Sequence, residues 1–336
     1  MTLIAYVFKR ILTIVPTVLG VLLVVFVLTH VVPGDPVAFV AGPFANPQMR
    51  AQIAAEYGFD KPLPDQFVIY VGKIVSGDLG KSLCTRNDVS WDIAQHLPVT
   101  VELVAFSFVL MILIGIPLGI VSATHKDEWV DHFSRLFALE GISIPQFYLA
   151  ILLVLVVGYW LGWLPTGGRI DYLLEPPAKI TGMYTLDSLL TGNWPAFESS
   201  LSHMILPAVT LAYTNSAILL RMVRSTMSET LLEDYVSTAK AYGMSRRYVN
   251  YVYALKPALA PAVTILGLNL GWLMSETFII EIIFDYPGIG KYTANAIQCL
   301  DYQAIMGVTL VLSIIFIVLN LVVDVAYTYL DPRVRY

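Results

Sequence analysis

The sequence predicts an all-α membrane protein with six membrane-spanning helices. Of its 336 residues, 57% are hydrophobic and only 13% are charged, whereas a soluble domain carries about 25% charged residues. A membrane-spanning helix needs about 20 consecutive apolar residues. Uncharged runs of that scale occur at residues 11–34, 103–125, 141–168, 199–220, 257–275 and 302–323. Because the number of runs is even, both termini are predicted on the same side of the membrane.

The Lys and Arg residues of the short loops indicate which side that is, because cytoplasmic loops carry an excess of them. If the N-terminus is cytoplasmic, the inner loops and termini hold twelve such residues: Lys9, Arg10, Lys126, Arg135, Arg221, Arg224, Lys240, Arg246, Arg247, Lys256, Arg333 and Arg335. The short outer loops then hold only three, namely Arg169, Lys179 and Lys291. The sequence therefore predicts an N-in, C-in topology.

The spans and the segments between them divide the chain into three predicted parts. Residues 1–34 form the N-terminus and the first span, and residues 35–98 form an outer segment. Pro and Gly turns interrupt that segment, as in GDLG at residues 77–80, so that several short helices are expected there. Residues 99–336 form a core of five spans, which includes a polar inner loop at residues 225–257.

The inner loop contains a helix–glycine–helix pattern. Thr230 and Glu233 have the spacing of a capping box, which predicts that a helix begins there. Gly243 is a natural end for this helix, because glycine adopts the left-handed conformation without steric cost. Ser245 is placed to cap a second helix.

Small residues are expected on the surface of this pattern. Ala239, Ala241 and Gly243 have short side chains or none, so that another protein could approach the backbone closely. Because this is the only long polar interval on the predicted cytoplasmic side, we expect a cytoplasmic protein to dock here.

No catalytic signature is present in the sequence. It contains no HExxH zinc motif, no GxSxG nucleophile elbow and no GxxxxGK[ST] phosphate-binding loop. The chain is therefore predicted to bind no cofactor and no metal, and to leave any use of ATP to a partner. Its net charge of −5 provides no basic field, so that nucleic acid is not expected as a partner.

Four carboxylates are predicted within or next to the spans, one of which, Asp324, lies at the inner end of the sixth. Glu102 falls in the first turn of the second span, where the helix dipole favours a negative charge. The fifth span is expected to extend toward Phe284, so that Glu276 and Glu281 lie late in it. Their five-residue spacing separates them by about 140° around a helix. At most one of them is therefore expected to face a central translocation path. A structural hydrogen bond is the alternative role for either.

The two cysteines of the chain, Cys84 and Cys299, both fall on the outer side in this topology. Disulfides form in oxidising compartments such as the bacterial periplasm. We therefore hypothesise a bridge that joins the first outer segment to the loop after the fifth span. Two unrelated thiols are the alternative.

A series of short motifs gives the chain a family resemblance over nearly its whole length. They are IVPT at residues 14–17, VVPGDP at 31–36, YGFDKPLPDQF at 57–67, GDLGKS at 77–82, LPVTVEL at 97–103, GIPLGI at 115–120, SIPQF at 143–147, GWLPTGG at 162–168, HMILPA at 203–208, EDYVSTAKAYG at 233–243, EIIFDYPGIGKY at 281–292 and DPRVRY at 331–336. In this order they resemble the permease subunits of binding-protein-dependent ABC importers, in the dipeptide and oligopeptide subfamily.

The resemblance implies the transmembrane domain of a type I ABC importer, with a helical extracellular segment after helix 1. The inner loop is similar to the EAA motif, through which these permeases dock on their ATPase. The docking residues it implies are Glu233, Asp234, Tyr235, Thr238, Ala239, Ala241, Gly243 and Ser245. The chain departs from the EAA motif at Ser237 and Tyr242, where the family has basic residues. It also departs from the family at Ile282, directly after Glu281 of the fifth span, where the family has Thr.

The resemblance also implies the partners and the location. It places the chain in the cell inner membrane as a multi-pass protein, with a second homologous permease, two ATPase subunits that hold ATP and Mg, and an extracellular solute-binding protein. The implied cargo is a dipeptide or oligopeptide. An oligosaccharide, nickel or another small solute is the alternative within the family. A secondary transporter is a remote alternative, which predicts paired midplane charges or broken helices in inverted halves.

Overall fold

The computed structural model describes residues 3–31, 37, 45–57 and 60–330, and the motif DPRVRY at residues 331–336 lies outside them, as does most of VVPGDP at residues 31–36. The described part is built from helices. The first seven are α1 (Leu3–Val31), α2 (Pro47–Tyr57), α3 (Leu63–Val75), α4 (Val89–Thr124), α5 (Trp129–Ser143), α6 (Gln146–Leu153, continued by π-helical turns over Val154–Trp160) and α7 (Tyr184–Thr191).

The remaining helices follow without a long interruption. They are α8 (Trp194–Thr230), α9 (Asp234–Ala241), α10 (Arg246–Tyr248), α11 (Leu255–Ile283), α12 (Ile289–Gln298) and α13 (Tyr302–Leu330). A π-helical stretch over Val249–Ala254 joins α10 to α11, so that Arg246–Ile283 is one helix of 38 residues. The all-helical prediction is confirmed for the described residues.

Four helices of the described chain are long and apolar enough to cross a membrane. They are Val89–Thr124, Trp194–Thr230, Arg246–Ile283 and Tyr302–Val322. The helices α5 and α6 pass the same test together, but they are bent by 105°, so that they add a fifth span if they count as one. The apolar stretch Ile14–Val27 of α1 is shorter than these. The sixth span and the N-in, C-in orientation therefore stay predictions.

The bend between α5 and α6 has a cause in the sequence. Ile144 precedes Pro145, and the proline ring disfavours the helical conformation of the residue before it. Ile144 accordingly has an extended backbone, with φ −84° and ψ 121°. Proline also lacks the N–H that would continue the helix, and α6 begins anew at Gln146.

Clustering of backbone contacts divides the chain into two compact units. One comprises residues 100–286 and 322–336, and the other comprises residues 1–99 and 287–321. In the first unit, α8 is the central helix. Of an apolar stretch of 18 residues in α8, 67% is buried, whereas 33% is buried in the corresponding stretches of α4 and of Arg246–Ile283.

Small residues let the helices of this unit pack closely around α8. Gly119 of α4 faces Val223 of α8, and a Cβ atom at Gly119 would lie 2.7 Å from the Val223 Cβ atom. Gly141 of α5 faces Ala217 of α8 in the same way, also at 2.7 Å. Close approach of backbones is a main source of helix association in membranes, because lipid removes most of the hydrophobic driving force.

The second unit has its own apolar core. The start of α4, the helix α12 and the start of α13 meet there, and the buried side chains include Val89, Ile93, Ile289, Tyr292 and Ala304. The helices α1 and α3 pack through Phe26 and Phe67, whose ring centroids lie 5.3 Å apart at an interplanar angle of 70°.

The close packing at Gly119 generates a stability prediction. We expect Gly119→Ala to destabilise the chain by about 1–3 kcal/mol, because the added methyl group must displace Val223. Gly20→Ala is the matched control, since a Cβ atom at Gly20 meets no described atom within 4 Å. Thermal unfolding of the detergent-solubilised variants measures both, and equal midpoints for the two would contradict the packing account.

Candidate docking and translocation sites

The loop after α8 forms the predicted helix–glycine–helix pattern, but its first helix begins differently from the prediction. Glu233 is the N-cap of α9, and its carboxylate accepts no capping hydrogen bond from the described backbone. Thr230 still belongs to α8, and its hydroxyl donates to the carbonyl of Thr226 at 2.7 Å. The predicted capping box of Thr230 and Glu233 is therefore wrong, because a Thr inside a helix bonds to the carbonyl four residues back.

The end of α9 and the start of α10 follow the prediction. Gly243 has φ +78°, which is the left-handed conformation expected of it. Its N–H donates to the carbonyl of Lys240 at 3.0 Å, and the N–H of Met244 donates to that of Ala239 at 3.3 Å. This is a Schellman end. The Ser245 hydroxyl then accepts a hydrogen bond from the N–H of Tyr248 at 3.3 Å and caps α10.

The helix α9 has a buried face and an exposed face. Val236 and Ala239 pack against Met227, Val249 and Ala258. Ala239 is only 4% exposed, so the expectation that it lies on the surface is wrong. It lies three residues after Val236 and thus on the same inner face. The exposed residues are the other seven of the implied docking set: Glu233, Asp234, Tyr235, Thr238, Ala241, Gly243 and Ser245.

Hydrogen bonds attach this segment to the neighbouring long helices. The Arg246 guanidinium donates to the carbonyl of Thr124, the last residue of α4, at 3.1 Å. The Thr226 hydroxyl, near the end of α8, donates to the carbonyl of Ala258 in α11 at 2.8 Å. The Arg246 bond thus fixes the helix–glycine–helix segment to α4, and the Thr226 bond joins α8 and α11, the helices that precede and follow the segment in the chain.

A buried carboxylate joins three helices close to the same ends. Asp131 of α5 is fully buried, and the guanidinium of Arg224 in α8 donates to its two oxygens at 2.7 and 3.0 Å. The Ser122 hydroxyl of α4 donates to it at 2.6 Å, and Arg135 lies 3.2 Å away. Bidentate Arg–carboxylate pairs are among the strong hydrogen bonds in proteins. Sequence analysis did not single out this cluster.

Glu276 and Glu281 lie in different surroundings, as their spacing indicates. Glu276 is partly exposed, and its Oε2 atom accepts hydrogen bonds from Gln146 Nε2 at 2.9 Å and Asn215 Nδ2 at 2.8 Å. Glu281 is fully buried, and its Oε1 atom accepts a hydrogen bond from the Thr100 hydroxyl at 2.6 Å. Of the two carboxylates, only Glu276 is partly exposed.

Glu102 has a different environment from the one predicted. The helix α4 begins at Val89, so Glu102 is far from its first turn. Its carboxylate is buried and accepts a 2.6 Å hydrogen bond from Arg169, and two more from the N–H and hydroxyl of Thr185. The Arg169 guanidinium also lies 3.6 Å from the ring centroid of Tyr184. The helix-dipole role is therefore wrong, and the residue anchors the segment between α6 and α7 instead.

A second carboxylate orders the same segment. Asp187 is fully buried and accepts hydrogen bonds from the backbone N–H groups of Ile180, Thr181 and Gly182 at 2.8–3.2 Å. Burial alone would raise the pKa of Asp187, but these bonds and the Thr181 hydroxyl outweigh it, so that the pKa is lowered. The carboxylate is thus ionised and holds the turn before α7.

Cys84 and Cys299 are joined as a disulfide in the structure, with their Cα atoms 6.0 Å apart. Polar contacts surround the bridge. The buried carboxylate of Asp301 accepts hydrogen bonds from the Ser82 hydroxyl at 2.5 Å and from the Cys84 N–H at 3.2 Å. Residues 82–84 are therefore fastened to the turn between α12 and α13. Among the described residues, no group of three or more His, Cys, Asp or Glu side chains could hold a metal ion.

These features define a class of protein. The chain is a multi-pass α-helical membrane protein whose exposed helix–glycine–helix segment is fixed to the ends of its long helices. Residues 115–336 match the family described as the binding-protein-dependent transport system inner membrane component, and residues 3–104 match the N-terminal model of that membrane component. The chain belongs to this family: it is a membrane permease of an ABC importer and not a catalytic subunit.

Curated relatives align with nearly the full chain. The probable D,D-dipeptide transport system permease protein DdpB of Escherichia coli (strain K12) is 43% identical over 94% of this chain and 93% of its own length. The dipeptide transport system permease protein DppB of Alkalihalophilus pseudofirmus is 38% identical over 99% of both chains. The glutathione transport system permease protein GsiC of Escherichia coli O6:H1 is 35% identical over 98% of this chain and 99% of its own.

The disulfide generates a prediction for the protein taken from its native membrane. We expect alkylation of the unfolded chain to label neither cysteine unless a reductant is added first, and to label both afterwards. Mass spectrometry of the intact chain counts the added groups. Two alkyl groups without reductant, in protein kept at low pH to block thiol exchange, would contradict the bridge.

Proposed function

We propose that this chain is one of two homologous permeases in an ATP-driven importer of dipeptides and short oligopeptides. The observation that carries the proposal is the near-full-length similarity to permeases named for dipeptide and D,D-dipeptide transport, at 34–43% identity. These names favour a peptide cargo over an oligosaccharide, nickel or another small solute. A solute-binding protein would deliver the peptide from the outer side.

The proposed complex places two ATPase subunits, with their ATP and Mg, on the cytoplasmic face. The exposed side of the helix–glycine–helix segment supports this assignment, because α9 and the residues at its two ends present seven of the eight docking residues that the family motif implies. The proposal includes the six spans with both termini inside, the outer segment of residues 35–98, and the five-helix core of residues 99–336. The loop of residues 225–257 is then the contact with the ATPase.

The proposed mechanism is alternating access driven from this contact. When the ATPase subunits close on ATP, they press on α9 and Gly243. The buried face of α9 and the hydrogen bond from Arg246 to Thr124 would pass the displacement to α4, α8 and α11. We assign Glu276 to the translocation path and Glu281 to a structural hydrogen bond, because Glu281 is fully buried.

A reconstituted complex tests this function. Proteoliposomes with both permeases and both ATPase subunits are expected to accumulate a radiolabelled dipeptide only when ATP is inside and the binding protein is outside. Gly243→Val should lower uptake by at least about tenfold, because a β-branched residue does not adopt φ near +78° without strain in the docking turn.

Gly192→Val is the matched control. Gly192 also ends a helix of eight residues, has φ +69°, and has no described atom within 4 Å of an added Cβ atom. It lies outside the docking segment, so uptake should stay near that of the unaltered complex. Failure of the unaltered complex to accumulate the dipeptide would refute the peptide cargo. Equal uptake by the two variants would refute the docking role of Gly243.

A further inference from the structure

Glu276 is an acidic side chain in a membrane-crossing helix whose hydrogen-bond partners are neutral. Its Oε2 atom accepts bonds from two amide groups, those of Gln146 and Asn215. Among the residues that the structure describes, no Lys, Arg or His forms an ion pair with it. A charge within the bilayer is expensive and is commonly tied to function.

Two buried acids of the same unit are paired with cations of the chain. Glu102 is paired with Arg169 at 2.6 Å, and Asp131 is paired with Arg224 at 2.7 Å. Each of these buried carboxylates therefore has a cation from the chain itself, as buried charges require. Glu276 differs from these two carboxylates and resembles the buried Asp187 in that its described hydrogen-bond donors are neutral groups. Unlike Asp187, it lies in a membrane-crossing helix.

Three helices hold the Glu276 carboxylate in one orientation. Gln146 is the first residue of α6, immediately after the break at Ile144 and Pro145. Asn215 is buried in α8, where it also donates to the carbonyl of Leu211. Both amide groups bind Oε2, and the structure describes no hydrogen bond to Oε1. One oxygen is therefore oriented by the chain while the other is free for a ligand.

The surroundings of this oxygen suit a small amphipathic molecule. On α11, Trp272 lies one turn before Glu276 and Ile279 lies nearly one turn after it, and they are 60% and 49% exposed. On α6, Phe147 and Tyr148 follow Gln146 and are half exposed. Binding sites for small molecules combine an apolar lining with a few placed polar groups, which is the composition found here.

We propose that Glu276 binds the protonated amino terminus of the transported peptide. This inference rests on the proposed peptide cargo and names the residue that recognises it within the membrane. The α-amino group has a pKa of about 7.7–8.0 and is mostly protonated at neutral pH, so that a short peptide brings the missing cation. Gln146 and Asn215 orient the carboxylate, and Trp272 and Ile279 contact the peptide side chains.

Glu276→Gln separates this role from a structural one. The glutamine keeps an oxygen that accepts the amide hydrogen bonds of Gln146 and Asn215, but it removes the negative charge. A residue that only positions the bend between α5 and α6 would tolerate the change. A residue that binds an ammonium group would not, because loss of one partner from a desolvated charge pair is a large penalty.

The experiment measures dipeptide uptake and ATP hydrolysis in the same proteoliposomes, with saturating binding protein and dipeptide. We expect Glu276→Gln to lower the amount of peptide taken up per ATP hydrolysed by about tenfold. The ATPase rate that the loaded binding protein stimulates should stay within about twofold, because the docking segment is unchanged. Glu276→Asp keeps the charge and should recover part of the uptake.

Glu140→Gln is the matched control, since Glu140 is an exposed carboxylate in α5 and the substitution is the same. It should leave the ratio unchanged. The inference would be overturned if Glu276→Gln took up a normal amount of peptide per ATP hydrolysed, or if Glu140→Gln lowered that amount equally. It would also be overturned if Glu276→Gln lowered the uptake and the ATPase rate in parallel. If the unaltered complex does not take up the dipeptide, the proposed cargo fails instead, so that the two failures are distinguishable.

Discussion

The buried carboxylate of Asp131 fixes the relative positions of three long helices at one end of the larger unit. It accepts hydrogen bonds from Ser122 of α4 and Arg224 of α8, and it belongs to α5. Removal of one partner would leave a buried charge uncompensated, which is a strongly destabilising change. This buried ion pair therefore holds the ends of the three helices together. The helix–glycine–helix segment is attached next to them, through the bond from Arg246 to the last residue of α4.

The attachment continues along a single helix toward the proposed substrate site. The second helix of the docking segment begins at Arg246 and runs without a break to Ile283. Glu276 lies 30 residues along it, a distance of about 45 Å at 1.5 Å per residue. Because the helix that the proposed docking residue Ser245 caps also carries Glu276, we expect a displacement of one end to move the other. This continuity links the proposed ATPase contact to the proposed peptide contact.

The features that the sequence predicted well are those with local causes. The long apolar helices follow from composition, and the end of α9 follows from the conformation of Gly243. Other features depend on partners that are distant in the sequence. Glu102 and Arg169 are 67 residues apart, and Asp131 and Arg224 are 93 apart, so that no spacing rule pairs them.

The errors in the docking segment have a related origin. A small residue such as Ala239 suits either an exposed face or a close internal contact, and only packing against Met227 and Val249 decides between them. Thr230 and Glu233 match a capping box, but packing of α8 in the unit extends that helix through Thr230. The choice between Glu276 and Glu281 also depends on packing. Their five-residue spacing predicts that the two side chains point in different directions, but it does not predict which of them is exposed.

The most direct test of this account is the distance between α9, the proposed docking helix, and the far end of the helix that carries Glu276. Spin labels at the exposed positions Thr238 and Ile279 allow that distance to be measured by double electron–electron resonance. The measurement is made on the assembled complex, once with ADP and once with ATP plus vanadate. The account predicts a change of less than about 2 Å between the two states, because the segment and the helix move as one body. A change of more than about 5 Å, the rise of one helical turn, would contradict it.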